Sequence, residues 1–455
     1  MASSASKKYE MDMCNGPIIS KMLIFAIPLM CSSILQLLFN AADIVVVGKF
    51  AGDNSLGAVG STTALINLLV NLFMGLSVGA NVLAARDYGG NRKDELSKTV
   101  HTSMMLSIIS GIILTFVGVL FSRQILILMK SPDEILPLAS LYLKIYFIGM
   151  PASMAYNFGS AILRSVGDTK RPLYFLFAAG IVNIILNLIF VIVFNMDVAG
   201  VALATIISQY ISAFLVIRCL MRESEGIKLH ISKLKIHKDK LMPILRVGIP
   251  AGFQGVIFSL SNVVIQSSVN IFGNIIVSGN SAAQNIEGFI YVGMNAFYQA
   301  AISFTSQNMG AGKKERVRKI AISAQILVIL TGLILGLTAL FSGRWLLRIY
   351  TNNPEVIEAG MKRMIVITTT YFLCGMMDVM VGIMRGLGYS IIPMIVSLVG
   401  ACGLRLIWIA TVFQIPQYHN VTTVYVAYPI SWAITFTIHV ITYIIIRQSL
   451  GLGKK

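Results

Sequence analysis

Shifted against itself by about 221 residues, the second half of the chain falls into register with the first. Ile162-Leu163-Arg164-Ser165-Val166-Gly167, closing at Pro172, returns as Ile383-Met384-Arg385-Gly386-Leu387-Gly388, closing at Pro393. Gly89 and Lys93 return as Gly310 and Lys314, and Ile27-Pro28 answers Ile249-Pro250 with a slip of one residue. A duplicated chain must fold as two copies of one scaffold, so this feature constrains the architecture before any residue is assigned a role.

The repeated unit is a set of apolar segments. Twelve can be counted, from roughly 17–47 to roughly 424–447, most of them long enough to cross a hydrocarbon core near 30 Å thick as helices. Hydrophobic residues form 56% of the chain and charged residues 12%, where a soluble domain carries about 25%. Membrane barrels show short alternating strands, and these runs are continuous. The expectation is an all-α integral membrane protein with two six-helix bundles, 1–221 and 247–455, joined by a linker at 222–246. Six crossings return a chain to its starting side, so the bundles should be related by a pseudo-two-fold axis along the membrane normal.

A net charge of +17 raises the question of nucleic acid. Its distribution answers otherwise. One alternate set of loops holds Lys7, Lys8 and Lys21, then Arg86, Arg92, Lys93 and Lys98, the linker lysines, Lys313 to Lys319, and Arg447, Lys454 and Lys455. Arg164 and Arg385 fall in the same set, whereas the opposite loops hold little beyond Lys49, Arg123, Lys130, Arg344 and Arg348. The positive-inside rule places both termini in the cytoplasm. The linker interleaves Ile227, Leu229, Ile231, Leu234 and Ile236 with Lys and His, a pattern expected to lie on anionic lipid. The five cysteines show no paired spacing, and neither a disulfide nor a metal cluster is expected.

No catalytic constellation is present: there is no P-loop and no HExxH, and the five histidines are scattered. The informative residues are ionisable groups within apolar segments, where burial is costly unless a group is solvated or paired. Asp43, Glu287 and Asp378 are the acids so placed. Low dielectric favours the neutral form of a carboxyl, which suits it to carry a proton. Asn40 lies one turn before Asp43, and Asn183 and Asn187 share one face of an apolar segment. Asn157 and Thr205 add polar groups on neighbouring segments. Together they form a candidate cage for a proton network or Na⁺; singly, such residues also serve as helix-to-helix hydrogen bonds. Arg405 is an intramembrane cation expected to neutralise Glu287 or Asp378. Pro28 is expected to bend the first helix.

The chain resembles the multidrug and toxic compound extrusion (MATE) transporters, prokaryotic DinF-like branch, over essentially its whole length. The resemblance rests on Ala26-Ile27-Pro28, Asn40-x-x-Asp43-x-x-x-x-Gly48 and Ile286-Glu287-Gly288-Phe289. Ser306-Gln307-Asn308-Met309-Gly310-Ala311-Gly312 and the Arg164-x-x-Gly167 and Arg385-x-x-Gly388 loops complete it. It implies exchange of H⁺ or Na⁺ for organic, mostly cationic amphiphiles by a monomer in the bacterial plasma membrane, with no cofactor. It also implies a cation site at Asp43, Asn183, Asn187 and Thr205, with Asn157 nearby. A second acidic cluster would involve Asp378 and Glu287. Where relatives place a second carboxylate this chain has Asn187, which binds Na⁺ more weakly and does not titrate. That turns the expectation toward protons, with no tightly bound metal. The alternative is a flippase for lipid-linked oligosaccharides, which needs a cationic cavity; only Arg405, Lys144, Lys362 and Arg363 lie within or at the edges of apolar segments.

At the repeat offset Asp43 falls opposite Val264, Asn183 opposite Leu404, Asn187 opposite Trp408 and Thr205 opposite Val426. The scaffold is duplicated and the polar chemistry is not, which nominates the N-terminal half as the ion-coupling half.

Overall fold

A computed structural model describes residues 9–451 apart from Lys130 and Glu225; the topogenic Lys7, Lys8, Lys130, Lys454 and Lys455 lie outside it. The described residues form helices and no strand. In the first half these are α1 (Ile18–Phe50), α2 (Asp53–Gly89), α3 (Lys93–Leu128), α4 (Leu136–Ile148), α5 (Met150–Ser165), α6 (Lys170–Leu188) and α7 (Asp197–Met221). In the second they are α8 (Lys238–Asn270), α9 (Asn274–Gly310), α10 (Lys314–Phe341), α11 (Gly343–Arg348), α12 (Pro354–Thr370), α13 (Phe372–Gly386), α14 (Ile391–Ser397), α15 (Leu404–Ala410) and α16 (Val421–Ser449).

The repeat is written into the backbone. α2 and α9 begin and end 221 positions apart, and so do the starts of α3 and α10. Residues with positive φ recur at the same offset: Gly52 (87°) with Gly273 (89°), Asn91 (53°) with Gly312 (70°), and Gly167 (92°) with Gly388 (97°). Glycine suits these turns because it lacks the Cβ that makes positive φ costly. The Arg-x-x-Gly loops are therefore one turn made twice.

Nine described helices are long and apolar enough to cross a membrane, or eleven when each bent pair counts as one span. The bent pairs are α4–α5, at 47°, and α12–α13, at 44°. The twelfth expected span, α9, is too polar to pass that test. It buries Asn280, Glu287, Gln307 and Asn308, and polar side chains turned inward lower hydropathy without facing lipid. Large apolar side chains such as Phe116, Leu120, Ile334 and Ile445 are exposed on outer faces, where a hydrocarbon solvent suits them.

Two compact units emerge, but not at the expected boundaries of 1–221, 222–246 and 247–455. One comprises Met1–Asp12 and Cys31–Gly252, the other Met13–Met30 and Phe253–Lys455. α1 and α8 each change unit part-way along, two residues after Pro28 and two after Pro250. Close approach of glycines ties the first half of α8 to its unit. A Cβ on Gly75 would lie 2.1 Å from the Gly252 nitrogen, and one on Gly79 would lie 2.2 Å from the Ile244 oxygen. Small residues four apart on both helices permit this backbone contact.

The linker also departs from expectation. Ile227 and Leu229 join the core of the first unit rather than lying on lipid. Their segment is pinned by hydrogen bonds from His230 N to His101 Nε2 (3.1 Å) and from His237 N to Thr102 Oγ1 (3.1 Å). Within the same unit Lys240 pairs with Asp87 (2.9 Å) and Glu95 (2.7 Å). Ile231 of the same segment remains exposed.

Candidate functional site

The second half of α1 carries Asp43 toward α6 and α7. On α6 the four-residue spacing stacks Asn183 and Asn187 on one face, as the sequence requires. Asn187 Nδ2 donates to Asp43 Oδ1 and also to Asn183 Oδ1 (3.3 Å). Asn183 Nδ2 donates to Thr205 Oγ1 (3.4 Å). Thr205 Oγ1 is 2.9 Å from the Val201 carbonyl and 3.4 Å from Asp43 Oδ2. A hydroxyl has one proton to give, and the shorter contact takes it. Thr205 therefore presents mainly lone pairs to Asp43, which keeps a single firm donor, Asn187. Two residues after Asn187 the helix widens into a π turn, Ile189–Val193, a local feature frequent at functional sites.

Asp43 is 9% exposed, and no cation among the described residues comes within ion-pair distance of it. Asn187 Oδ1 is buried without a donor. The site thus gathers oxygens from one carboxylate, two amides and a hydroxyl, with too few donors for them. Either a proton on Asp43 Oδ2, donated toward Thr205 Oγ1, or a small cation among these oxygens meets that deficit. Both ions fit the donor set.

The other acids are arranged differently. Glu287, 4% exposed, is clasped by Arg363: Nε donates to Oε1 (2.9 Å) and Nη2 to Oε2 (2.7 Å). Arg363 Nη1 donates to Asn280 Oδ1 (2.9 Å). The expectation that Arg405 neutralises Glu287 is corrected, since Arg363 holds that acid; Arg405 forms no direct ion pair among the described residues, and its charge, with that of Arg385, acts on Asp378. Arg405 instead donates to Ser431 Oγ (2.8 Å) and lies 4.3 Å from the ring centre of Tyr428 and 5.5 Å from that of Trp432. Asp378 is hydrogen-bonded with Tyr291. Sequence reasoning placed Arg363 only at a helix edge; a basic residue of opposite sign in the same half as Glu287 was the available signal.

Two expected members stand outside the Asp43 network. Asn157 Nδ2 donates to its own helix at the Ser153 carbonyl (2.8 Å), and Asn40 is exposed. Pro28 is buried within a continuous α1. Arg385 of the second Arg-x-x-Gly loop, counted with the loop charges, is buried and donates to Tyr298 and to Gln254 Oε1 (2.8 Å).

Comparison with known proteins gives a consistent picture. The MatE family model matches twice, at residues 28–189 and 250–411, which restates the repeat. A probable multidrug resistance protein of Bacillus subtilis, YpnP, is 30% identical over 87% of this chain and 88% of its own length. A probable multidrug resistance protein of Thermotoga maritima, NorM, is 27% identical over 86% of this chain and 85% of its own. Among solved structures, an outward-facing multidrug resistance transporter of the same family superposes with a TM-score of 0.89 at 20% identity, covering 96% of this chain and 98% of that one.

Proposed function

The chain belongs to the MatE family, whose members are membrane transporters rather than enzymes, and from that premise we propose that it is a secondary active multidrug exporter. It exchanges H⁺, or Na⁺, for organic compounds by alternating access in a bacterial plasma membrane, with both termini cytoplasmic. The observation that carries the reading is Asp43: a buried carboxylate with no cationic partner among the described residues, amid oxygens short of donors. An ion pair would hold such a group in one charge state; its lack leaves the charge state to an arriving ion. Proton or Na⁺ entry neutralises Asp43 and lets α1, α6 and α7 repack around a site without net charge. Exchange follows if ion and drug favour different conformations, since a ligand shifts an equilibrium only by its differential affinity.

The flippase alternative is disfavoured further, because Arg363, one of the few cations in the apolar segments, is committed to Glu287. The deciding experiment reconstitutes the protein in liposomes with a fluorescent organic cation and imposes a pH gradient and a Na⁺ gradient separately. Transport driven by one gradient and abolished in Asp43→Asn is expected. Gradient-driven transport that survives Asp43→Asn overturns the role of Asp43, and movement of a lipid-linked sugar without drug transport would favour the flippase.

A further inference from the structure

One end of the second unit gathers cations far from its buried acids. α10 opens with Lys314 and carries Arg318 one turn later, and α16 carries Arg447 in its last turn. The two helix ends meet, since Lys314 Nζ donates to the Leu450 carbonyl (3.3 Å). Arg318 is exposed, and Glu315, in the first turn of α10, forms no ion pair with it among the described residues. One turn before Arg447 stands Tyr443, 8% exposed, whose hydroxyl is buried without a hydrogen-bond partner. The charges of Arg447 and Arg318 both act on that hydroxyl. A buried polar atom left unpaired is uncommon enough to call for an explanation.

The row that begins with Lys314 and Arg318 continues at the same four-residue spacing as Ile322, Ile326, Leu330 and Ile334, all exposed. Residues four apart form one ridge of an α-helix. From Arg318 to Leu330 this ridge runs about 18 Å at 1.5 Å per residue, close to the thickness of one leaflet of a core near 30 Å. On α16 Ile441, Ile444 and Ile445 are exposed beside Tyr443. Two kinds of surface therefore adjoin: a pair of guanidiniums with an ammonium, and an aliphatic ridge of leaflet length. A soluble phosphate would use only the first. A zwitterionic headgroup would bring its own cation against Arg318 and Arg447. Snorkelling accounts for cations at a helix end, but not for a buried tyrosine hydroxyl lacking an acceptor.

The geometry points to a binding site here for one anionic glycerophospholipid. Its phosphate lies among Lys314, Arg318 and Arg447 and accepts a hydrogen bond from Tyr443, while an acyl chain follows the α10 ridge. The phosphate oxygen supplies the acceptor that Tyr443 lacks, and a bond to an ionised acceptor is stronger than one between neutral groups. The hydroxyl is shielded from water, so the headgroup reaches it through rotamer changes of the long cationic side chains, which are common at binding interfaces. The site lies outside the ion-coupling reading and needs no part of it.

The test is native mass spectrometry of purified full-length protein in detergent, titrated with phosphatidylglycerol, with phosphatidylcholine of the same chains, and with glycerol 3-phosphate. Phosphatidylglycerol is expected to bind more tightly than either of the others. Arg318→Gln should weaken it roughly fivefold, the share of one cation at an anionic headgroup. Tyr443→Phe should weaken it roughly tenfold, yet leave the lipid-free unfolding midpoint unchanged or higher, because its hydroxyl has no bond to lose. Joint Lys233→Gln and Lys235→Gln, which removes two exposed linker charges, should leave binding as it was. A linker variant as weak as Arg318→Gln would reduce the effect to diffuse attraction and overturn the site. Phosphatidylcholine bound as tightly as phosphatidylglycerol, or phosphatidylglycerol binding unchanged in Tyr443→Phe, overturns it too. Glycerol 3-phosphate bound as tightly as the lipid would make this a soluble-phosphate site and refute the lipid. Should Tyr443→Phe lower the midpoint, the exposed Arg318→Gln set against the linker variant decides.

Discussion

Asp43 and Glu287 are both acids buried in apolar surroundings, yet their neighbours assign them opposite duties. Glu287 has both oxygens bound by one guanidinium, and such a pair is costly to break from one side. Glu287→Gln should destabilise the protein by about 3–5 kcal/mol, because Arg363 is left buried without its counter-charge. Joint replacement by Glu287→Gln and Arg363→Met should recover much of that loss, measured as the thermal unfolding midpoint in detergent. A double variant no more stable than the single one would show that Arg363 is not the source of the cost. Asp43→Asn should leave stability near wild type while abolishing ion-driven transport, since no cation is orphaned. The Asp43, Asn183, Asn187 and Thr205 cluster was legible in the sequence because the membrane makes each polar residue conspicuous and helical spacing aligns the two amides. Arg363 was not, because a contact across 76 residues has no period and the apolar run expected from the sequence begins only two residues before it, whereas the helix itself starts at Pro354. Asn157 shows the converse error: a polar residue at membrane depth satisfied by its own helix.

At the scale of elements, glycine decides which backbones can touch. Gly75 and Gly79 on α2 meet Gly248 and Gly252 on α8 at distances that leave no room for a Cβ. Gly79→Leu should therefore cost at least about 1–3 kcal/mol and lower the unfolding midpoint. Gly60→Ala, on the same helix with nothing within 4 Å, should be tolerated. Equal effects of the two substitutions would mean that helix propensity, not this crossing, dominates. Helix existence was readable from apolar run length, but the breaks were not. The spans expected as single helices bend between α4 and α5 and between α12 and α13, and the counterpart of α6 passes through a π turn at Leu398–Gly403. Hydropathy averages over a window and is blind to a local change of hydrogen-bond register. The linker follows its pattern only in part: Ile227 and Leu229 are buried in the first unit beside the hydrogen bonds to His101 and Thr102, while Ile231 stays exposed.

For the whole molecule the repeat supplies a scaffold made twice, and the departures from it carry the chemistry. Val264 stands where a duplicated Asp43 would be, and the second unit instead holds the Glu287–Arg363 pair. With Asp43 as the proposed coupling centre, one ion per chain bounds the stoichiometry. Linkage makes the bound measurable without a membrane. If drug and ion favour different states, drug binding must lower the affinity for the ion by the same factor that the ion lowers affinity for the drug. Saturating drug added to purified protein in weak buffer should therefore release at most about one proton per chain, or about one Na⁺ if sodium is the coupling ion. A pH-indicator dye or a sodium electrode reads the release, and raising the competing ion tenfold should weaken drug binding by up to about tenfold at saturation of the linkage. Asp43→Asn should still bind drug but release nothing, and its drug affinity should no longer depend on that ion. Release that persists undiminished in Asp43→Asn would place the coupling centre elsewhere, with Asp378, the remaining intramembrane acid outside an ion pair, as the next residue to replace.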